Sequence, residues 1–228
     1  MIISHKYKFI FIKVPKTAGT SIEVFLSQCC GDKDVVTPIW PHVEPHCARN
    51  YQGIWNPFPE IVQNRARSIG GTVNELLKKN RFYNHIPASL AKQRMSRKRW
   101  NSYFKFCVER NPWDKTLSYY HMVNDRAGGG TSFDEYIRTG IFCNTFSMYT
   151  DSNGFLLVDK VVKYESLIEG LGTVFQELGV PFDGSLGVRA KSEHRKDRRA
   201  YQDIFSDKQR DIIEREFAEE IEMHGYTF

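Results

Sequence analysis

The sequence lacks any segment that would cross a membrane or direct export. No apolar run approaches the ~20 residues that span a bilayer. The opening residues, MIISHKYKFIFIKV, lack the cationic start, long apolar stretch and small-residue cleavage site of a secretory signal. Only five cysteines occur among 228 residues, and they are scattered along the chain. An odd cysteine count without a secretory signal indicates reduced thiols, so we expect a cytoplasmic protein.

The chain also carries little excess charge. Its 32 basic residues against 27 acidic residues give a formal net charge of +5. This surplus suits an anionic ligand but is too weak to indicate nucleic-acid binding by itself. Hydrophobic residues make up 41% of the chain and charged residues 26%, which is typical of a globular domain. We expect one domain over 1–228, with a proline-rich excursion at about 31–70.

Three strand–turn–helix units follow one another along the chain. Short β-branched and aromatic runs predict buried strands at 8–14, 104–109 and 160–164. Apolar residues at helical spacing predict a helix after each strand, over about 22–30, 113–124 and 167–178. Thr20 or Ser21 is the expected cap of the first helix. Repeated units of this kind predict an α/β fold, a mostly parallel sheet with helices on both faces.

Weaker patterns fill the intervals between these units. Helices are predicted at 72–80, 87–100 and 133–139, and a short strand at 81–84. Gly179 lies where a helix C-cap glycine belongs, and Ser206 with Gln209 resembles a capping box that opens the last helix.

The first turn has the chemistry of an anion-binding loop. It joins a strand to a helix N-terminus, whose backbone N–H groups and positive dipole end bind phosphate-like anions. Lys16, Thr17, Thr20 and Ser21 add donors, and Gly19 permits close approach. The loop differs from a Walker A motif, which has its lysine after the second glycine, so ATP hydrolysis is disfavoured. An ordinary strand-to-helix turn remains the alternative.

The second unit places Arg110 at a strand end and Ser118 eight residues later, inside the next helix. Both side chains would face the crevice at the carboxyl ends of parallel strands, where open sheets bind ligands. Arginine offers a planar fork to a phosphate, and serine offers a hydroxyl. Alone, an arginine near a helix start is commonplace.

Together the two units resemble the sulfotransferases that use 3′-phosphoadenosine 5′-phosphosulfate (PAPS). FIKVPKTAGTS, residues 11–21, looks like the family's 5′-phosphosulfate loop, and FCVERNPWDKTLSYY, residues 106–120, looks like its 3′-phosphate motif. The residues of the two motifs are closest to those of the family's carbohydrate branch, and they are similar to those of the 2-O-sulfotransferases of uronic acids. Asn111 replaces a frequent aspartate and Lys115 a frequent arginine. The resemblance implies a layout related to the P-loop kinases.

This resemblance implies a role for each site residue. The 5′-phosphosulfate would be held by the loop residues Lys16, Thr17, Ala18, Gly19, Thr20 and Ser21. The 3′-phosphate would be held by Arg110 and Ser118, with Arg195 and Lys196 closing over it from a basic segment. Tyr164 is similar to the family's adenine-contacting aromatic residue. The plainer alternatives are a core tyrosine at 164 and a solvated charged loop around 195.

Sulfuryl transfer also needs a base for the acceptor hydroxyl, and histidine is the usual choice. In the similar 2-O-sulfotransferases, a histidine in the region of His85 is the base. His85 also follows a predicted strand between the two cofactor motifs, so we predict it as the base, with a pKa near 6.5. A structural or acceptor-binding role is the alternative, and His46 is the next candidate. Lys16 would stabilise charge on the leaving phosphate.

Two further patterns point elsewhere. His42, His46 and Cys47 have the residue types of a zinc site, but no second cluster completes four ligands, so we expect no metal. The basic stretch 92–105 suits a solvated face or an acidic saccharide better than nucleic acid.

The sequence thus predicts sulfuryl transfer from PAPS to a hydroxyl acceptor, and the resemblance implies that this acceptor is a carbohydrate. Sulfation of a lipid or small alcohol, non-catalytic adenine-nucleotide binding and a nucleotide kinase are the alternatives.

Overall fold

A five-stranded sheet forms the centre of the computed structural model, which describes residues 1–63, 69–188 and 199–228. The strands are β1 Ile2–Ser4, β2 Phe9–Ile12, β3 Val35–Val36, β4 Phe104–Glu109 and β5 Lys160–Lys163. Their order in the sheet is β3-β1-β2-β4-β5. The β2–β4 and β4–β5 pairs are parallel, whereas β1 is antiparallel to both of its neighbours. Four strands therefore run in one direction, which confirms the mostly parallel sheet.

Ten α-helices occur in the described ranges. They are α1 Gly19–Cys29, α2 Phe58–Gln63, α3 Ile69–Leu77, α4 Ala88–Arg94, α5 Arg97–Ser102, α6 Pro112–Arg126, α7 Phe133–Thr139, α8 Leu167–Leu178, α9 Asp207–Glu216 and α10 Ala218–His224. Short 3₁₀ turns lie at Phe146–Met148, Tyr164–Ser166 and Tyr201–Asp203. None of these helices has the length and apolar character needed to cross a membrane.

Alternation along the strands divides the core into two layers. Phe9 and Phe11 of β2 pack with Phe106 of β4 against α1 and α8. Ile10 and Ile12 face the other way and pack with α4, α5 and the segment around Tyr149. Side chains on successive strand residues point to opposite faces, so each face needs its own helical cover. The predicted helices on both faces are confirmed.

A third apolar cluster joins α6 and α7 to the C-terminal helices. Trp113 and Leu117 of α6 pack with Ile213 of α9 and with Phe217, and each of these side chains is buried. Cation–π and ring contacts extend the cluster to Phe228. The C-terminal segment is therefore packed beside the helix that follows β4.

Four local predictions are wrong. Residues 81–84 are irregular rather than a strand, and the helix predicted over 87–100 is two helices separated at Met95 and Ser96. The last helix is likewise divided, at Phe217. The first helix is not capped by Thr20 or Ser21, because it begins at Gly19 after Ala18. Three of these errors concern where a helix begins or breaks, and the fourth is a strand that does not form.

Candidate active site

The turn between β2 and α1 has an unusual backbone. Lys16 and Ala18 both have left-handed conformations, with φ of 66° and 58°, and Thr17 between them donates its hydroxyl to the carbonyl of Val14 at 2.9 Å. Ala18 is the N-cap of α1, and no side chain caps the helix. Non-glycine residues adopt this conformation at a cost, and backbone turns of this kind form concave anion-binding sites. The loop geometry therefore favours an anion at the start of α1.

Gly19 is required by close packing beneath this turn. A Cβ atom at this position would lie 2.6 Å from Cγ of Lys13, whose side chain passes directly under the first turn of α1. Lys13 is 2% exposed, and its Nζ donates to Oε2 of Glu23 in α1 at 2.5 Å. The Lys13 side chain cannot move aside without breaking its buried ion pair with Glu23. The glycine thus sets the distance between the loop and the end of β2.

Arg110, directly after β4, connects the second motif to the first. Its Nη1 donates to the carbonyl of Lys16 at 3.2 Å, and its guanidinium lies 4.3 Å from the ring centre of Tyr164. Nε and Nη2 both approach Oδ2 of Asp114, at 2.8 and 2.7 Å. Three of the five guanidinium donors are used in this way, which leaves two for a ligand. The structure therefore brings Lys16, Arg110 and Tyr164 together at the carboxyl ends of β2, β4 and β5.

Ser118 lies one turn after Asp114 on α6, and Asp114 pairs with Arg110, which precedes the helix by two residues. It is half-buried, and its hydroxyl has no hydrogen-bond partner in the described ranges. That Arg110 and Ser118 share one ligand stays a prediction from their spacing. Thr20 and Ser21 are nearly buried in the first turn of α1, next to the loop backbone.

Two residues that the sequence analysis did not assign support Arg110. Asp114 orients its guanidinium, and Asn111 anchors the turn that carries it. The Asn111 N–H donates to Oε1 of Glu165 at 2.7 Å, and its Oδ1 caps α6 by accepting from the N–H of Trp113. The signals were present in the sequence: an asparagine before Pro112 is a typical N-cap, and Asp114 follows Arg110 by four residues.

His85 is held against the end of β2, although no strand precedes it. Its Nδ1 lies 3.0 Å from the carbonyl of Lys13. A carbonyl only accepts, so Nδ1 carries the proton and Nε2 has the lone pair. Burial, assisted by the Lys13 charge, lowers the pKa of His85 to about 4, which corrects the expected value near 6.5. The imidazole is thus neutral at pH 7, with its basic nitrogen directed away from Lys13.

The remaining sequence candidates fall in three places. Arg195 and Lys196 lie outside the described residues. The ring of His46 is buried, neither of its nitrogens has a hydrogen-bond partner in the described ranges, and burial lowers its pKa. Nε2 of His42 contacts the carbonyl of His46 at 2.9 Å, and Cys47 is exposed. Across 1–63, 69–188 and 199–228, no three or more histidine, cysteine or acidic side chains are grouped as metal ligands would be.

Comparison with known proteins identifies a family. A family model described as "Sulfotransferase family" matches residues 1–179, which include the loop, Arg110, Ser118 and Tyr164. An uncharacterized protein from Archaeoglobus fulgidus is 30% identical over 118 residues, which cover 49% of this chain and 98% of that protein. The matched family range contains both motifs on which the sequence resemblance depends.

Proposed function

This chain belongs to the sulfotransferase family, and we propose that it transfers a sulfuryl group from PAPS to a hydroxyl of a carbohydrate. The observation that carries the proposal is the contact between Arg110 and the carbonyl of Lys16. It brings the two turns that we assign to the phosphates next to each other. We further propose that the loop at 15–18 serves as the phosphate loop of a P-loop-kinase-like fold.

Different residues would bind the two ends of the nucleotide. The loop backbone, Lys16 and the first turn of α1 (Thr17, Ala18, Gly19, Thr20 and Ser21) would hold the 5′-phosphosulfate, and Arg110 with Ser118 the 3′-phosphate. The two unused donors of Arg110 match a phosphate, which accepts a fork of two N–H groups. Tyr164 would contact the adenine with its aromatic ring, which the cation–π contact with Arg110 already fixes in place. Arg195 and Lys196 would close over the 3′-phosphate.

The chemical step assigns one role to each of two residues. Nε2 of His85 accepts the proton of the acceptor hydroxyl as the acceptor oxygen forms its bond to sulfur. Lys16 donates to the oxygen that carries the growing negative charge as the bond between sulfur and the phosphate oxygen breaks. The products are a sulfate ester and adenosine 3′,5′-bisphosphate. Anionic groups next to His85 would raise its pKa from about 4 towards the working pH, which favours proton transfer in the loaded site.

The family resemblance supports a carbohydrate acceptor. The residues of the two motifs support the 2-O-sulfotransferases of uronic acids in particular. An enzyme that sulfates a lipid or a small alcohol would have the same donor site, and a non-catalytic nucleotide-binding protein would share it as well. A nucleotide kinase is disfavoured, because Lys16 precedes the only glycine of the loop instead of following it.

The experiment is a transfer assay with sulfur-labelled PAPS against a panel of uronic-acid saccharides, neutral saccharides, sterols and small alcohols, run in excess EDTA. We expect label in a saccharide fraction, release of adenosine 3′,5′-bisphosphate and no loss of turnover on chelation. Label in sterols or alcohols alone would reassign the acceptor. Nucleotide binding without transfer to any acceptor would contradict the enzyme, and turnover restored by a divalent ion with ATP would support the kinase.

A further inference from the structure

A cavity of about 430 Å³ opens far from the proposed transfer site. It lies on the face of the sheet that carries α4 and α5, where Ile3 of β1 and Val35 of β3 form part of its wall. His5, which also lines it, follows β1 where β1 pairs with the first residue of β2. The proposed transfer site follows the last residue of β2. The length of β2 therefore separates the two, and the cavity faces the amino ends of the parallel strands.

Four basic side chains line this cavity: His5, Lys33, Arg81 and Arg99. Asp32 is the one acidic residue among the lining residues. Arg99 affects two of the others. Burial and, next, the charge of Arg99 lower the pKa of both His5 and Arg81. Neither Arg81 nor Arg99 forms an ion pair with any residue of the described ranges. Like charges brought together in a concave surface are costly unless an anion joins them.

The arginine at the rear of the cavity is held in place. Nε of Arg81 donates to the carbonyl of Arg94, the last residue of α4, at 2.7 Å, and its guanidinium lies 5.1 Å from the ring centre of Phe82. Arg94 is itself fixed, because it donates to both carboxylate oxygens of Glu60 at 2.9 Å. A guanidinium fixed by its neighbours loses little entropy when it binds, so Arg81 is prepared for a ligand.

The opposite side of the cavity is also ordered. Nδ1 of His5 lies 2.8 Å from the hydroxyl of Tyr103, and the His5 N–H donates to Oδ1 of Asp34 at 2.6 Å. That carboxylate also accepts from the hydroxyl of Ser4 and from the N–H of Gly31, so its acceptors are used within the fold. Asp34 thus supports the wall and does not neutralise the arginines.

The floor is apolar. Phe82 and Val35 are buried, and Met95 at the end of α4 is half-buried against the same core cluster. Concave sites with an apolar lining and a few converging charges are typical of small-molecule binding, and this volume falls within the usual range of about 300–1,000 Å³.

We propose that this cavity binds a small organic anion with an apolar body. Its sulfo or carboxylate group would lie between Arg81 and Arg99, and its body would contact Phe82 and Met95. The proposal is independent of sulfuryl transfer, since none of its residues belongs to the proposed transfer site. It also gives a purpose to Arg99, which lies in the basic stretch 92–105.

The test is calorimetric titration with 2-naphthalenesulfonate, which can neither donate nor accept a sulfuryl group. The carboxylate arm uses 2-naphthoate, and the neutral arm uses 2-naphthalenesulfonamide. We expect at least one anion to bind with 1:1 stoichiometry and the sulfonamide to bind at least tenfold more weakly. Saturating adenosine 3′,5′-bisphosphate should leave the affinity unchanged, because the two sites are at opposite ends of β2.

The variants are chosen so that folding does not decide the result. Arg99 is exposed, so Arg99→Gln should leave thermal unfolding unchanged and weaken anion binding at least tenfold. The matched control is Arg97→Gln, an exposed arginine of the same helix that does not line the cavity, and it should bind as the wild type does. The proposal is overturned if neither anion binds, if the sulfonamide binds equally well, if the bisphosphate competes, or if Arg97→Gln and Arg99→Gln lose affinity alike.

Discussion

Arg110 is the residue on which the nucleotide assignment depends. Its donors already serve Asp114 and the carbonyl of Lys16, so the side chain is fixed before any ligand arrives. A fixed guanidinium recognises a phosphate with little further loss of entropy. The ion pair with Asp114 also explains how a cation that is 8% exposed is tolerated at this position.

Arg110→Ala should weaken adenosine 3′,5′-bisphosphate binding by about 1.5–3 kcal/mol, the usual contribution of a hydrogen bond to a charged group. Calorimetry measures the affinity, and thermal unfolding verifies that the variant is folded. Arg138→Ala, which removes an exposed arginine from α7, is the matched control and should bind normally. An Arg110→Ala variant with wild-type affinity would remove this residue from the site.

His85→Asn separates the proposed base from its structural role. His85 has a φ of 59°, a conformation that asparagine tolerates, and an asparagine amide can still donate to the Lys13 carbonyl. The variant should therefore fold and bind adenosine 3′,5′-bisphosphate normally, while turnover falls roughly 10²–10⁴-fold because the proton acceptor is gone. Steady-state kinetics beside calorimetry provides the test. If turnover persists, the base lies elsewhere, and His46→Asn is the next variant to measure.

A comparison of the wild type with His85→Asn also tests the pKa of His85. In the folded protein this pKa is about 4, and in the unfolded chain it is about 6.5, so the unfolded state takes up the proton first as the pH falls. The free energy of unfolding of the wild type should therefore drop between pH 6.5 and 4 by up to about 3 kcal/mol more than that of His85→Asn. Urea unfolding at several pH values measures this. Parallel pH curves for the two proteins would mean that His85 titrates normally.

At the scale of elements, the join between β2 and α1 depends on Gly19. Gly19→Ala forces its Cβ against the buried Lys13 chain, which should destabilise the protein by about 1–3 kcal/mol and displace the loop. We expect weaker bisphosphate binding as well as a lower melting temperature. Gly170→Ala in α8 is the control, because its Cβ would meet Val162 of β5 at the same 2.6 Å, away from the loop. If both variants lose stability but bind equally well, the loop does not hold the nucleotide.

The elements that the sequence predicted well are those with strong local signals. The strand at 104–109 and the helix at 133–139 have the predicted bounds. Gly179 ends α8 with a φ of 67°, and Ser206 forms a capping box with Gln209. In each case the signal lies within a few residues of the element it specifies, so no distant contact is needed to interpret it.

The sequence failed where distant contacts decide the backbone. β1 is only three residues long and exists because it pairs with β2 and β3, which no local pattern reveals. Lys16 and Ala18 have left-handed backbones that their residue types do not favour. The second motif identified Arg110 and the family resemblance identified Tyr164, but only the structure shows their mutual contact. The pKa of His85 likewise follows from burial and from Lys13, 72 residues away.

At the scale of the whole molecule, the C-terminal segment is joined to the candidate site although the family match ends at residue 179. The amide of Asn111 donates to the hydroxyl of Tyr201 and to the carbonyl of Thr227, at 3.2 and 2.9 Å. Trp113 donates to the carbonyl of Arg210 at 3.1 Å. The turn that carries Arg110 is therefore held from both sides, by Glu165 after β5 and by the C-terminal segment.

A buried ion network makes the strongest of these connections. Nζ of Lys115 in α6 contacts Glu109 of β4 at 3.0 Å, Glu220 of α10 at 2.8 Å and the Thr145 hydroxyl at 2.7 Å. All four side chains are buried. Burial raises the pKa of Glu220 despite its contact with Lys115, so two carboxylates depend on a single cation.

Lys115→Met should destabilise the protein by about 3–5 kcal/mol at pH 7, because it leaves two buried carboxylates without their cation. The pKa of Glu220, which burial already raises, should then rise further, so the unfolding free energy of the variant should recover as the pH falls from 7 towards 5 and a proton binds. Denaturant titrations at pH 5, 6 and 7 test this. Lys115→Met with Glu220→Gln is the control, and it should regain part of the stability at pH 7, since one uncompensated charge is removed. A loss of equal size at pH 5 and pH 7, unrelieved in the double variant, would show that packing rather than charge holds the C-terminal helices against β4.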